Sequence, residues 1–280
     1  MKKSQSAKAR SMALILVAGL LGGCATSGNP KDSIEGFNRA MFAFNEGLDK
    51  AIVKPVATGY DNVLSSPVKT GVTNFFGNIA DLFIGINNLL QGKVAAGFGD
   101  FGRLAVNSTI GILGVIDVAS DIGLEKHEED FGQTFGRWGV GSGSYVVVPF
   151  FGSRTVRDTA GLVLDVAVDP VSNHGHVPTR NTALALRIVS DRANLLPADK
   201  VIDEAALDKY SYVRDAYLQR RRSLIYDGNA PREAEPEADL ADQQPLVAEA
   251  GSAQESVPAQ AETVAVEPVV VAQQHLLQTE

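Results

Sequence analysis

Leu104-Ala105-Val106-Asn107-Ser108-Thr109-Ile110-Gly111-Ile112-Leu113-Gly114-Val115-Ile116 runs without a charged residue between Arg103 and Asp117. As an α-helix, at 1.5 Å per residue, it reaches only about 20 Å, short of the ~30 Å of bilayer hydrocarbon. It is therefore either a buried core helix or a segment lying partway into a bilayer, and the pattern alone favours the core helix. Asn107, Ser108 and Thr109 interrupt the apolar run. In hydrocarbon those groups need partners, and a polar lumen would supply them.

On either side the dominant period is helical. Phe37, Met41, Phe44, Leu48 and Ala51/Ile52 share one helix face, with Asn38, Arg39, Asn45, Glu46 and Asp49 on the other. Asp32 or Ser33 is the expected N-cap, and Pro55 the expected stop. A turn at Ser65-Ser66-Pro67 precedes a helix from about Val72 to Gln91, with Phe75, Phe76, Ile79, Leu82, Phe83, Ile86, Leu89 and Leu90 as its apolar positions. Gly92 is its expected C-terminal cap. After a charged loop, Glu125 to Asp130, comes the Gly-rich stretch Phe131 to Phe151, with glycines at 132, 136, 139, 141 and 143. That density predicts no stable helix interior. Tyr145 to Val148 favours extended backbone, and Pro149 argues against a central strand. Helical patterns return from Thr155 to Pro170, from Pro178-Thr179 to about Leu196, and from about Ala205 to Tyr226, where Arg220-Arg221-Arg222 suit the helix dipole.

The start of the chain reads as a lipoprotein signal peptide, residues 1–23. Lys2, Lys3, Lys8 and Arg10 precede an apolar run from Met12 to Leu21, too short to span a bilayer. Leu21-Gly22-Gly23-Cys24 is the pattern of lipoprotein processing, which makes Cys24 the acylated first residue of the mature chain. Each buried methylene contributes about 0.8 kcal/mol, so three chains anchor almost permanently. Ala25 and Thr26 follow with no Asp, so the default address is the outer membrane, anchored on the periplasmic side. Residues 24–31 form a lipidated linker, 32–227 one helical domain, and 228–280 an acidic tail without aromatics that is expected to be disordered. The whole-chain charge is −8, concentrated in that tail, which argues against nucleic acid as a partner. A single Cys excludes an intramolecular disulfide and disfavours a Cys-ligated metal.

No motif carries covalent chemistry. Gly97-Phe98-Gly99-Asp100-Phe101-Gly102 lacks the preceding strand of a dinucleotide site. Gly141-Ser142-Gly143-Ser144 does not match the nucleophile elbow. His127-Glu128-Glu129 lacks the second His of a zincin helix, and His174 with His176 make too few ligands for a stable metal site. The expectation is a non-enzyme without cofactor or metal. The triple Arg is either a site for anionic lipid heads or a solvated helix end.

Several segments together resemble the VacJ/MlaA lipoproteins of Gram-negative outer membranes: Ile34-Glu35-Gly36-Phe37-Asn38-Arg39, Val53-Lys54-Pro55-Val56-Ala57, Asn74-Phe75 with Gly77-Asn78, Leu90-Gln91-Gly92, Arg103 with Asn107-Ser108-Thr109, Asp130-Phe131-Gly132-Gln133-Thr134, and Tyr212-Val213-Arg214 with Ala216-Tyr217. The resemblance covers about Asp32 to Asp227. It implies an all-α, ring-shaped bundle of amphipathic helices embedded in one membrane leaflet, with a Gly-rich loop and a disordered C-terminal tail. It further implies an amphipathic pore, association with a trimeric outer-membrane porin, and removal of mislocalised phospholipids from the outer leaflet to a periplasmic lipid-carrier protein. In that frame Arg103, Asn107, Ser108, Asn87 and Asn88 are the pore-lining candidates. The alternatives are a structural lipoprotein that scaffolds porins or the cell envelope without moving lipid, and a lipid-acting hydrolase.

Overall fold

A computed structural model describes residues 29–231. The signal peptide, Cys24 and the tail beyond Pro231 fall outside the described residues. Helix α1 (Glu35–Leu48) continues through a π-helical turn (Asp49–Val53) into α2 (Lys54–Val63). Pro55 does not stop the helix as its chemistry suggests. The wider turn, in which the Lys54 N–H bonds the Asp49 carbonyl, places Pro55 in the first turn of α2, where no donor is required. Ile34 takes the N-cap position of α1 without a side-chain cap, so neither Asp32 nor Ser33 caps it.

Helices α3 (Ser66–Leu90) and α4 (Val94–Thr109) form a helical hairpin. Gly92, at φ 81°, closes α3 as expected: its N–H bonds the Leu89 carbonyl and the Lys93 N–H bonds that of Asn88. The facing stripes are small or polar. On α3 they are Gly71, Asn78, Asp81, Gly85 and Asn88, and on α4 Gly97, Asp100, Arg103 and Asn107, all buried. At the Gly85/Gly97 crossing the backbones nearly touch, since a Cβ on Gly97 would lie 2.9 Å from the Gly85 oxygen.

The uncharged stretch 104–116 is not one helix. Its first half belongs to α4, which ends at Thr109, and Ile110–Ile116 form a loop with Ile112, Leu113 and Gly114 all at positive φ. Ile112 is 65% and Leu113 69% exposed, so the core-helix expectation fails for this half. The loop satisfies much of its own backbone: Leu113, Gly114 and Ile116 N–H groups bond the carbonyls of Ser108, Asn107 and Gly111.

Then follow α5 (Val118–Asp121), capped by Asp117, and α6 (Phe131–Arg137), capped by Asp130. Gly132 and Gly136 thus sit inside a short helix, contrary to the expectation for this stretch. The reason is packing: a Cβ on Gly132 would meet Asp158 Oδ1 at 2.8 Å. Strands β1 (Tyr145–Val148) and β2 (Gly152–Thr155) pair antiparallel, with Pro149 in the turn between them. The domain is therefore mostly helical with one β-hairpin, rather than all-α. Helix α7 (Val156–Val168) starts at its Thr155 cap, and α8 (Val177–Asn194), α9 (Leu196–Ala205) and α10 (Lys209–Ile225) complete the order. The separate helix α9 was not legible from periodicity.

The interior combines a small apolar core, Tyr145, Val147 and Tyr210 with Met41 and Phe42 packed against it, and many polar groups. Fully buried side chains include Arg103, Asn38, Asn87, Asn88, Asp32, Asp81, Asp100 and Asp158 beside Tyr145 and Val147. On α7, Arg157 and Asp158 face inward while Val156, Val163, Leu164, Val166 and Val168 are exposed. On α1 Asn38 is completely buried, Met41 and Phe42 pack against the apolar core, and Phe44 is exposed. Among the described residues no helix is long and apolar enough to cross a membrane.

The interior holds together by hydrogen bonding, since a buried polar group without a partner is costly. Asn38 illustrates this. Its Nδ2 donates to Asp32 Oδ1 (2.7 Å) and to the Tyr145 carbonyl, and its Oδ1 accepts from the Val147 N–H. One side chain thereby serves as the second edge partner of β1.

Candidate functional site

A cavity of about 350 Å³ opens between α3, α6, α7, α8, α10 and β2. One wall is the apolar face of α3, with Phe76, Ile79, Ala80, Phe83 and Ile84 recurring at helical spacing. The rest of the lining is mostly polar or charged and comes from five elements: Gln133 of α6, Arg154 of β2, Asp165 of α7, Arg187 of α8, and Tyr217, Arg220 and Arg221 of α10, with Asp130 at the cap of α6. The site is amphipathic across its width.

Most of the charged wall is internally neutralised. Arg221 forks onto Asp130 with both contacts at 2.5 Å and reaches Asp158 at 3.1 Å. Asp158 also accepts from Tyr217 Oη (2.7 Å) and from Arg157. Burial pushes the Asp130 and Asp158 carboxyls up, but the guanidinium of Arg221 prevails and both lie below the usual range. Arg187 pairs with Asp169 at 3.2 Å, and Arg220 with Glu128 at the exposed rim. Two groups differ in having no ion-pair partner among the described residues. Asp165 accepts only the Phe131 N–H, and burial pushes its carboxyl up to about 6. Arg154 makes no ion pair, and its Nε is buried without a hydrogen-bond partner, as are Arg221 Nε and Gln133 Oε1 on the same lining.

The sequence-predicted residues lie in hydrogen-bonded networks away from the cavity lining, in which Arg103 Nε and Asn88 Oδ1 are left without a hydrogen-bond partner. Arg103 is fully buried. It binds both Asp117 oxygens at 2.9 Å and Ser120 Oγ at 3.0 Å, and its Nε stands 3.6 Å from Asp81. Asn107 donates to Asp117 Oδ1 and accepts the Ala119 N–H. Ser108 accepts from Asn78. Asn88 donates to Asp100, which also meets His127 Nδ1 at 2.8 Å. Asn87 accepts from Thr134 Oγ1. These groups are brought together along the α3–α4 seam, and none of the five lines the cavity.

The model of the MlaA lipoprotein family matches residues 30–224. The chain belongs to the MlaA lipoprotein family. The intermembrane phospholipid transport system lipoprotein MlaA of Shigella flexneri is 38% identical over 82% of this chain and 94% of its own length. Its counterpart in Escherichia coli K12 is 37% identical over the same shares, and that of Haemophilus influenzae is 31% identical over 76% and 89%. A solved chain described under "Structural basis for maintenance of bacterial outer membrane lipid asymmetry" superposes with a TM-score of 0.62 at 34% identity, covering 69% of this chain and 98% of that one.

Within this MlaA-family domain the motifs set aside from the sequence have structural places. Gly97, Gly99 and Gly102 lie inside α4. His176 Nδ1 accepts the Thr179 N–H at the start of α8. Of the triple Arg, Arg221 is internal and Arg220 rims the cavity. Sequence reasoning missed Arg154, Asp165 and Tyr217. Asp165 had a signal, a lone carboxylate in Leu162-Val163-Leu164-Asp165-Val166-Ala167-Val168. Arg154 had none, because a four-residue strand carries no usable period.

Proposed function

We propose that this protein takes phospholipid out of the outer leaflet of the outer membrane and passes it through its amphipathic cavity to a periplasmic carrier, which maintains lipid asymmetry. The single observation behind this reading is the cavity's mixed apolar and charged lining, in a domain that exposes many large apolar side chains. Acyl tails follow Phe76, Ile79 and Phe83, and the headgroup follows the charged groups of the lining. Exposed Phe44 of α1 and the exposed apolar side chains of α7 and the 110–116 loop suit helices lying in one leaflet, arranged as a ring and tethered by acylated Cys24. The same apolar exterior suits contact with a trimeric porin. No covalent step is assigned. Transfer is passive, and its direction is set by partners.

The roles of Arg103, Asn107, Ser108, Asn87 and Asn88 follow from their partners. They hold the α3–α4 hairpin, and through it the apolar wall, in place. Ala80→Trp, which fills the cavity from the α3 side, is expected to raise outer-leaflet phospholipid while the protein stays in the membrane fraction. Unchanged outer-leaflet phospholipid would refute passage through this cavity. A scaffold would behave that way.

A further inference from the structure

Resting on the reading of the cavity as the lipid passage, we infer that Arg154 and Asp165 form a headgroup-reading pair: the guanidinium takes the phosphodiester and the carboxylate takes a headgroup ammonium, so the cavity selects zwitterionic, amine-bearing phospholipids over anionic ones. Each other arginine in the cavity has a carboxylate partner: Arg221 holds Asp130 and Asp158, Arg187 holds Asp169, and Arg220 holds Glu128. Arg154 has no ion pair or side-chain hydrogen bond among the described residues, and its Nε is buried. Asp165 has no cationic partner within ion-pairing distance, although the Arg154 charge does act on it.

The two groups line the same cavity and make no ion pair with each other, and the Arg221 and Asp130 charges also act on Asp165. A buried donor beside a half-buried carboxylate, both left open in this way, is costly to the fold. Such groups concentrate where a ligand completes them. The chemistry fits one ligand class. A simple anion satisfies Arg154 but leaves Asp165 open and brings a second negative group toward it. A zwitterion bridges the gap with both charges matched. The elevated carboxyl of Asp165 is what an uncompensated acid in that position shows, and a bound ammonium would lower it.

The test uses the full-length mature lipoprotein in vesicles holding equal mole fractions of acyl-photoreactive phosphatidylethanolamine and phosphatidylglycerol at pH 7.5. Cross-links to α3 wall peptides are counted. The wild type is expected to capture the ethanolamine lipid on the order of tenfold more than the glycerol lipid. Asp165→Asn should bring the two lipids to parity by lowering ethanolamine capture alone. Arg154→Gln should lower capture of both lipids, with partial recovery in Arg154→Lys. Equal capture of both lipids by the wild type, or a ratio unmoved by Asp165→Asn, would overturn the pair and leave the passage standing. No capture at α3 by the wild type would overturn the passage itself. Asp165→Asn preserves side-chain volume and the Phe131 N–H contact, so the ratio stays readable even if Arg154→Gln misfolds.

Discussion

Replacing Arg103 by Met is predicted to cost about 3–5 kcal/mol of stability, because it breaks a buried ion pair from one side only. The Asp117 carboxylate would lose a guanidinium bound to both oxygens at 2.9 Å, and fully buried Asp81 would retain only Lys126, at 2.8 Å. Burial pushes the Asp117 carboxyl up, but bonds from Ser120, Asn107 and Arg103 outweigh it and hold the group at about 2 against an ordinary 3.8. The sign follows. A depressed carboxyl stabilises fully above pH 3.8, and that stability is lost as the pH falls toward 2. Urea unfolding of the detergent-solubilised mature protein, followed by circular dichroism at pH 7, checks the value. The double variant Arg103→Met/Asp117→Asn should recover part of the loss, since removing both partners is milder than removing one. A loss under 1 kcal/mol in Arg103→Met, with lipid removal nevertheless abolished, would refute the structural role and return Arg103 to a lumen.

Asp165→Asn should behave oppositely. The folded carboxyl is raised to about 6, so charge on it destabilises the fold increasingly as pH rises from 3.8 through 6. The variant is expected to be more stable than wild type by about 2–3 kcal/mol at pH 7.5 and equal to it near pH 4, as measured by denaturation at both pH values. Gly97→Val places a Cβ 2.8 Å from Leu89 Cδ2 and 2.9 Å from the Gly85 oxygen, and should lower stability by at least 1–3 kcal/mol as the hairpin is forced apart. Ile112→Asn and Leu113→Asn put an αL-tolerant polar residue at φ 53° and 58°. Together they should relieve about 1–2 kcal/mol of backbone strain and weaken the hold of a non-acylated Cys24→Ala protein on vesicles, read by flotation.

Helix positions were legible wherever an amphipathic period ran for three turns or more, as in α1, α3, α7 and α10. The direction those periods faced was not. Periodicity identifies an apolar stripe without saying what covers it: on α7 the stripe Val156, Ala160, Val163 and Ala167 is exposed, whereas on α1 it is divided between the core and the surface. Short-range exceptions also escaped. Pro55 reads as a stop unless a π-helical turn precedes it, and Gly132 reads as a helix breaker unless the neighbour that needs its missing side chain is known. Among candidate residues, Arg103 and Asn107 stood out as polar groups at an apolar run. Their partner Asp117, however, only joins them through the fold over 110–116. The cavity's charged lining comes from α6, β2, α7, α8 and α10, far apart in sequence, so no local pattern could assemble it.

The most direct test of lipid passage places a photoreactive phenylalanine analogue at Phe83, on the apolar cavity wall, in cells carrying the full-length protein. Passage through the cavity predicts a covalent phospholipid adduct at Phe83 that Ala80→Trp abolishes. Adducts arising only from an outward position such as Leu113, with none at Phe83, would contradict it.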